Sequence, residues 1–226
     1  MNLNILYSDK DILVVEKPAG MAVQTRKLTE RDLVSEIKNH LSREYKKADP
    51  YLGIVHRLDQ PVRGLLVFAL NEKAASALSR QISSHSFNKC YLALVEGLVK
   101  DSGGWVTLTD YLIKDKDNTA RITDKDERGA KKAELRYKIV STDREAGVTL
   151  LEAELITGRF HQIRAQLSNM GYPIVNDVKY GACKVKALNN ERTIALCAYK
   201  LSFEHPVLLR EMQYIIKEDF SRMIKM

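Results

Sequence analysis

The second half of the chain places four strand-like segments one after another, and this run constrains the fold more than any other feature. Polar and apolar residues alternate over 105–113, 119–123, 133–141 and 147–156, with charged turns between them. Consecutive strands with short connections pair as antiparallel neighbours, whereas parallel strands need a long crossover between them. With only three or four helical segments elsewhere, the pattern predicts an α+β fold rather than a βαβ nucleotide-binding fold.

Further strands are predicted from short runs of β-branched and apolar residues. These runs are Leu3–Tyr7, Ile12–Glu16, Tyr51–Val55, Leu65–Leu70, Tyr91–Val95 and Thr193–Phe203. We interpret the tail from Val207 as a strand and a short helix. The stretch Lys114–Lys138 carries many charges of both signs, which is typical of a solvated hairpin rather than a binding patch.

Three helices are predicted from apolar residues that recur at helical spacing. The first has Thr29 as its candidate N-cap and ends at Asp49-Pro50. The second is capped by Asn71. The third begins near Arg159 and stops at Gly171, and its predicted buried stripe is Ile163, Leu167 and Met170.

The composition is that of an ordinary globular protein with a cationic bias. At 226 residues, with 45% hydrophobic and 29% charged residues, one domain is expected. No apolar run approaches the ~20 residues of a membrane helix, and the N-terminus lacks a signal-peptide pattern, so we expect a soluble, cytoplasmic protein. A net charge of +7 favours a polyanionic partner such as nucleic acid.

The cysteines and histidines form no metal-binding pattern. Cys90, Cys183 and Cys197 are widely spaced without a Cys-x-x-Cys pair, and the five histidines include no His-x-x-x-His pair. We therefore expect reduced thiols and no metal.

One segment with more polar groups than a core requires is the predicted loop His56–Gly64. It places an Asp beside an Arg directly after a strand, where catalytic side chains often lie. Asp59 is a candidate nucleophile or base, and Arg57 is a candidate contact for a phosphate or a base. The alternative is that Asp59 caps a turn and Arg57 pairs with it.

A second such segment is Thr157–Arg164. A helix starting here could bind an anion at its N-terminus, with Arg159 and His161 as added donors. Arg164 could reach sideways, pair with a carboxylate and keep it ionised. The alternative is a surface helix with ordinary polar residues. On the third segment, Lys89–Gly97, the alternation of apolar residues makes core packing the default role of Tyr91.

Taken together, these segments resemble the RluA-like family, the pseudouridine synthases of the large-ribosomal-subunit and transfer-RNA type. The resemblance rests on ordered signatures that span most of the chain: Asp11–Gly20, Val55–Ala69, Lys89–Gly97, Thr157–Leu167, Gly171–Ile174 and Asp177–Gly181. It implies the pseudouridine synthase fold, in which a mixed, mainly antiparallel sheet with flanking helices surrounds a central active-site cleft. It also implies one catalytic domain over residues 1–226, without a separate N-terminal RNA-binding module.

The resemblance implies that uridine in ribosomal or transfer RNA is isomerised to pseudouridine without a cofactor or metal, by a monomer. Asp59 is then the catalytic aspartate, as nucleophile or as base on the sugar. Tyr91 lies against the uracil and helps to remove the C5 proton, and Arg164 pairs with Asp59. Arg57 fills the vacated stack or grips the RNA backbone, and further substrate contacts are expected from His56, Lys17, Arg159 and His161.

Two positions depart from the family pattern. Val62-Arg63 replaces a common Thr-Ser, which puts another cation near Asp59, and Asn176 replaces a common Gly, which Asn tolerates at positive φ. The first departure keeps open a catalytically silent RNA-binding protein on the same fold. A nucleosidase is a third hypothesis, but such hydrolysis usually needs a second carboxylate about 5–9.5 Å from the first.

Overall fold

The computed structural model describes residues 3–26, 30–46, 48–100, 102–183, 193–218 and 220. The chain forms two compact units. The first comprises Met1–Lys89 and Ala198–Lys217, and the second comprises Cys90–Cys197 and Glu218–Met226. Among the described residues, no helix is long and apolar enough to cross a membrane.

Six strands and two helices belong wholly or mainly to the first unit. The strands are β1 (Asn4–Ser8), β2 (Ile12–Lys17), β3 (Gly53–Ile54), β4 (Arg63–Ala69), β10 (Leu196–Glu204) and β11 (Glu211–Ile215), and the helices are α1 (Leu33–Tyr45) and α2 (Glu72–Ser83). Antiparallel pairing joins β1 to β2, β2 to β4, β3 to β4 and β10 to β11. The centre of this sheet is apolar on both faces, since Ile12–Val15 and Leu65–Ala69 are almost completely buried.

The second unit holds the consecutive strands that the sequence predicts. They are β5 (Asn88–Glu96), β6 (Val106–Lys114), β7 (Ala120–Thr123), β8 (Lys131–Asp143) and β9 (Val148–Leu155). The order is β5-β9-β8-β6-β7 with antiparallel pairs throughout. Helix α3 (Gln162–Asn169) and a short 3-10 turn (Val178–Tyr180) complete this unit. The α+β prediction is confirmed, and so is the solvated hairpin, whose Arg121 is bound by Asp115 and Glu127.

Several predicted boundaries need correction. The side chain of Asp32 caps α1 by accepting a hydrogen bond from the Ser35 N–H, whereas Thr29 lies outside the described residues. Helix α1 ends before Asp49-Pro50, because Lys46 adopts a left-handed conformation. The predicted strand Tyr51–Val55 shortens to β3, and α3 starts three residues later than expected. Asn71 caps α2 as predicted.

Candidate active site

The loop between β3 and β4 carries Asp59, and hydrogen bonds tie this loop to the turn that follows β2. The Gly20 N–H donates to the Gln60 carbonyl at 2.9 Å, and the Gln60 side-chain amide donates back to the Gly20 carbonyl at 3.1 Å. The Val62 N–H donates to the carbonyl of Asp59 itself at 3.1 Å, which closes a tight turn. Asp59 is therefore half-buried on a loop whose backbone is held from both sides.

Lys17 holds the same two segments together from inside. Its ammonium is fully buried and donates to the carbonyls of Pro18, Met21 and Gln60 at 2.9, 2.8 and 3.1 Å. Burial lowers its pKa to about 7, and the negative charge of Asp59 opposes this shift. Three backbone acceptors thus use the three ammonium hydrogens, and the expected contact between Lys17 and RNA stays a prediction.

His56 anchors the other end of the loop. Its Nε2 accepts a hydrogen bond from the Val67 N–H of β4 at 3.1 Å, and its ring meets Phe87 edge-on with centroids 5.0 Å apart. Burial, and then the positive charge of Lys89, lowers the pKa of His56 well below its usual value. His56 is thus a neutral, buried support for the loop, and its expected role as an RNA contact stays a prediction.

Alternation along the loop sets which side chains are accessible. His56 and Leu58 are buried, whereas Arg57 is exposed and Asp59 is half-buried. Arg57 is therefore accessible to solvent, and its contact with a substrate stays a prediction.

Gly64, the second residue of β4, lies directly after the loop and approaches strand β10 closely. Its φ is 146°, and a Cβ built on it would lie 2.5 Å from the Ala198 Cβ and 2.6 Å from the Ala198 backbone. Only glycine fits here, because any side chain would overlap β10. The loop that carries Asp59 therefore ends at a point where two strand backbones fix the chain.

Arg63 extends the pairing between β2 and β4 through its side chain. Its Nε donates to Glu16 Oε1 at 2.5 Å, and Glu16 Oε2 also accepts from the Asn4 side chain at 2.7 Å. The departure from the family pattern at Val62-Arg63 is therefore matched by a carboxylate on the neighbouring strand. The other departure behaves as expected, since Asn176 has a φ of 68°.

Tyr91 lies on β5, the strand at one end of the β5-β9-β8-β6-β7 run. It stands on β5 opposite Ala153 of β9 and is 5% exposed. The predicted burial of Tyr91, Ala93 and Val95 is confirmed, but Leu94 on the opposite face of the strand is buried as well.

Arg164 is buried within the second unit and forms a fork with Asp177. Its Nε donates to Asp177 Oδ2 at 2.7 Å and its Nη2 to Oδ1 at 2.8 Å, while the guanidinium carbon lies 4.8 Å from the centre of the Tyr180 ring. The sequence predicts a carboxylate partner for this guanidinium, and Asp177 is one such partner. The sequence analysis gave Asp177 no role of its own, although it begins the signature Asp177–Gly181. The pairing of Arg164 with Asp59 stays a prediction.

Helix α3 is buried more widely than its predicted stripe. All residues from Gln162 to Leu167 are buried, whereas Met170 is partly exposed. The polar members have hydrogen-bond partners: Gln162 donates to the Glu134 carbonyl, and Gln166 donates to Asp110. This pattern excludes the alternative of a surface helix.

The segment before α3 differs from the expected anion site. The Gln162 side chain accepts from the Arg159 N–H at 2.9 Å, and the Arg159 guanidinium is exposed with its Nε bound to the Lys132 carbonyl. His161 is stacked on Phe160 and lies 2.9 Å from the Tyr180 hydroxyl. Burial and nearby cations lower the His161 pKa to about 3, so its ring is neutral and supplies no positive charge to an anion.

Three potential metal ligands, Asp9, Asp11 and His205, lie close together in the first unit. Hydrogen bonds account for their arrangement. Asp9 accepts from the Asp11 and Ile12 N–H groups and from His205, and Asp11 accepts from the Asn71 side chain. We interpret the cluster as a structural junction between β1, β2 and the end of β10.

Comparison with known proteins finds one family along most of the chain. Residues 11–169 match the sequence profile described as RNA pseudouridylate synthase. The chain is 34% identical to an uncharacterized RNA pseudouridine synthase, YlyB, of Bacillus subtilis, over 100% of this chain and 73% of the relative. It is 32% identical to the dual-specificity RNA pseudouridine synthase RluA of Yersinia pestis, over 96% of this chain and 99% of the relative.

A structural comparison agrees on the fold. The human RNA pseudouridylate synthase domain containing 4 aligns with a TM-score of 0.74 at 22% identity, over 97% of this chain and 90% of that one. The human domain-containing 1 protein aligns with a TM-score of 0.73 at 24% identity, over 97% and 84%.

Proposed function

The chain belongs to the RNA pseudouridylate synthase family, and from this premise we propose that it isomerises uridine in ribosomal or transfer RNA with Asp59 as its catalytic aspartate. In this reaction the bond between N1 and C1′ breaks and a bond between C5 and C1′ forms. The C5 proton leaves, and N1 gains a proton. No atom is added to the substrate or lost from it in net terms.

The observation that carries the proposal is the family match over residues 11–169, which contains the Asp59 loop, Tyr91 and Arg164. The geometry of the first unit supports it. A half-buried carboxylate stands on a loop that Lys17 and Gln60 hold in place, as a reacting group requires. The negative charge of Asp59 lies close enough to Lys17 to oppose the lowering of the Lys17 pKa.

Each proposed catalytic group matches a chemical need of the reaction. Asp59 can attack or deprotonate the sugar only when it is ionised. The resemblance assigns Arg164 to it as a guanidinium that opposes protonation. Removal of the C5 proton needs a weak base within hydrogen-bond reach, which the Tyr91 phenol oxygen provides.

The proposed substrate contacts are the exposed Arg57 and Arg159. Arg57 would occupy the space of the extruded base, because an enzyme that acts on a base must first remove it from the stack. We also propose that the reaction takes place in the cytoplasm. We propose that it proceeds without cofactor or metal and on a monomer.

The test is tritium release from unmodified ribosomal and transfer RNA transcripts labelled at C5 of uridine. The wild type is expected to release tritium, and Asp59→Asn is expected to lose at least about a hundredfold in rate while it stays folded. Asp126→Asn, an equal change on an exposed hairpin residue, is the matched control and should keep full activity.

Two outcomes would favour the other hypotheses. RNA binding without tritium release in any transcript pool would indicate the catalytically silent RNA-binding protein. Free uracil among the products would indicate a nucleosidase. An Asp59→Asn variant with more than a few per cent of wild-type rate would remove the role assigned to Asp59.

A further inference from the structure

Lys89, at the start of β5, is a half-buried cation with no anionic partner among the described residues. Its ammonium lies over the Phe87 ring, 5.9 Å from the centroid, and burial lowers its pKa. Within the part of the chain that the structure describes, it has no hydrogen-bond acceptor and no carboxylate partner. Lys17 shows the contrast, since three backbone carbonyls accept hydrogen bonds from that ammonium.

The position of this ammonium is restricted by a packed aromatic group. Phe87 is 5% exposed, stacks on Phe203 with centroids 5.5 Å apart, and contacts the edge of the His56 ring. A cation over an aromatic face is attracted by the ring quadrupole, but this attraction does not neutralise its charge. The arrangement therefore holds a positive charge in one place and leaves it uncompensated.

The surroundings of Lys89 in the first unit connect it to the loop that carries Asp59. The Phe87 ring beneath its ammonium contacts the His56 ring, and Lys89 lies close enough to His56 to lower the pKa of that ring. His56 begins the loop that carries Asp59. An anion bound by Lys89 would thus lie near this proposed catalytic segment.

We propose that Lys89 binds a phosphate of the RNA substrate beside the uridine that reacts. This inference rests on the proposed function, because that function supplies a substrate with one phosphate per nucleotide. An ammonium that is already desolvated and held by Phe87 loses little further hydration or freedom when the phosphate arrives. The contact would position the nucleotide without taking part in bond breaking.

The test measures RNA affinity at several salt concentrations for the wild type and Lys89→Met, which keeps the apolar stem. Loss of one phosphate contact should weaken binding about tenfold and reduce the slope of log affinity against log salt by about 0.7–0.9. Lys89→Arg should keep the slope, and Lys73→Met, which removes one exposed charge on α2, should keep slope and affinity. Tritium release should show a raised KM for Lys89→Met.

A merely structural Lys89 would give a different result. If Lys89→Met lowers the melting temperature or kcat but keeps the wild-type salt slope and KM, the phosphate contact is wrong. Lys89→Gln is the second variant if Lys89→Met does not fold. Because binding and turnover are measured separately, a wild type that binds RNA but releases no tritium would refute the proposed function while the salt slope still decides on Lys89.

Discussion

The Arg164 guanidinium and the Asp177 carboxylate form two parallel hydrogen bonds, at 2.7 and 2.8 Å, with side chains that are 5% and 1% exposed. Planar groups that meet in this way fix each other's orientation as well as their charge. Asp177 therefore determines the direction in which Arg164 presents its remaining N–H groups. If Arg164 acts on Asp59, Asp177 is a positioning residue for that contact.

Asp177→Ala is expected to lower the free energy of unfolding by about 3–5 kcal/mol, because it leaves the Arg164 charge buried without this partner. Urea unfolding measures the loss. Arg136→Ala is the matched control, since its pair with Glu154 lies at the surface and should contribute only about 0–1 kcal/mol. A loss from Asp177→Ala no larger than that of the control would show that the fork does not hold α3.

Lys17 should make stability depend on pH in the alkaline range. Its pKa is about 7 in the folded protein and 10.5 in the reference state, so between these values the unfolded chain binds the proton that the folded protein has lost. The wild-type free energy of unfolding should therefore rise with pH from about 7 to about 10.5, by about 1 kcal/mol per pH unit from this group.

Lys17→Met isolates this contribution, because every other titrating group is common to both proteins. Urea unfolding at pH 7, 8 and 9 should give a shallower pH dependence for the variant. At pH 7 the variant should also be less stable, by about 1–3 kcal/mol, since the carbonyls of Pro18, Met21 and Gln60 lose their donor. Parallel pH curves would mean that Lys17 keeps its proton throughout this range.

The features that the sequence predicted well are those that depend on neighbours along the chain. Alternation over a few residues is enough to identify β6 to β9, and a side-chain cap such as Asn71 acts within one helical turn. The family signatures are local strings in the same sense. They identify Asp59 and Arg164 as candidates without any knowledge of their surroundings.

The misjudged features depend on residues far apart in sequence. Nothing near Lys17 in the sequence indicates that a carbonyl 43 residues later will accept a hydrogen bond from its ammonium, yet Lys17 makes this contact and is fully buried. Likewise, the pKa of His161 is lowered first by burial and then by nearby cations, of which Lys179 and Lys114 are distant in the sequence. Charge and burial at these positions follow from tertiary packing, which the pattern of residue types does not reveal.

The pair formed by Arg63 and Glu16 predicts that this departure from the family pattern has only a small effect on RNA binding. Because Glu16 compensates its charge, Arg63→Ser should change RNA affinity less than about twofold at physiological salt, as filter binding can measure. A double-mutant cycle with Glu16→Gln should give a coupling of about 0.2–1 kcal/mol, the range of partly exposed ion pairs.

Arg57→Ser is the control from the same loop, and it should weaken binding or turnover at least about tenfold. A tenfold loss of RNA affinity in Arg63→Ser would indicate that Arg63 contacts the RNA.

Gly64→Ala should be among the most damaging small substitutions in the chain. The new methyl group would overlap Ala198, at 2.5 Å from its Cβ and 2.6 Å from its backbone, and the φ of 146° disfavours any side chain. The overlap is with a neighbouring strand that cannot move aside alone, so we expect a loss of about 3 kcal/mol or more in the free energy of unfolding.

Gly104→Ala provides the control, because its Cβ would meet nothing within 4 Å, and it should stay within about 0.5 kcal/mol of wild type. Since β4 begins where the Asp59 loop ends, the folded fraction of Gly64→Ala should also lose activity; a stable, fully active variant would show that this close approach does not position the loop.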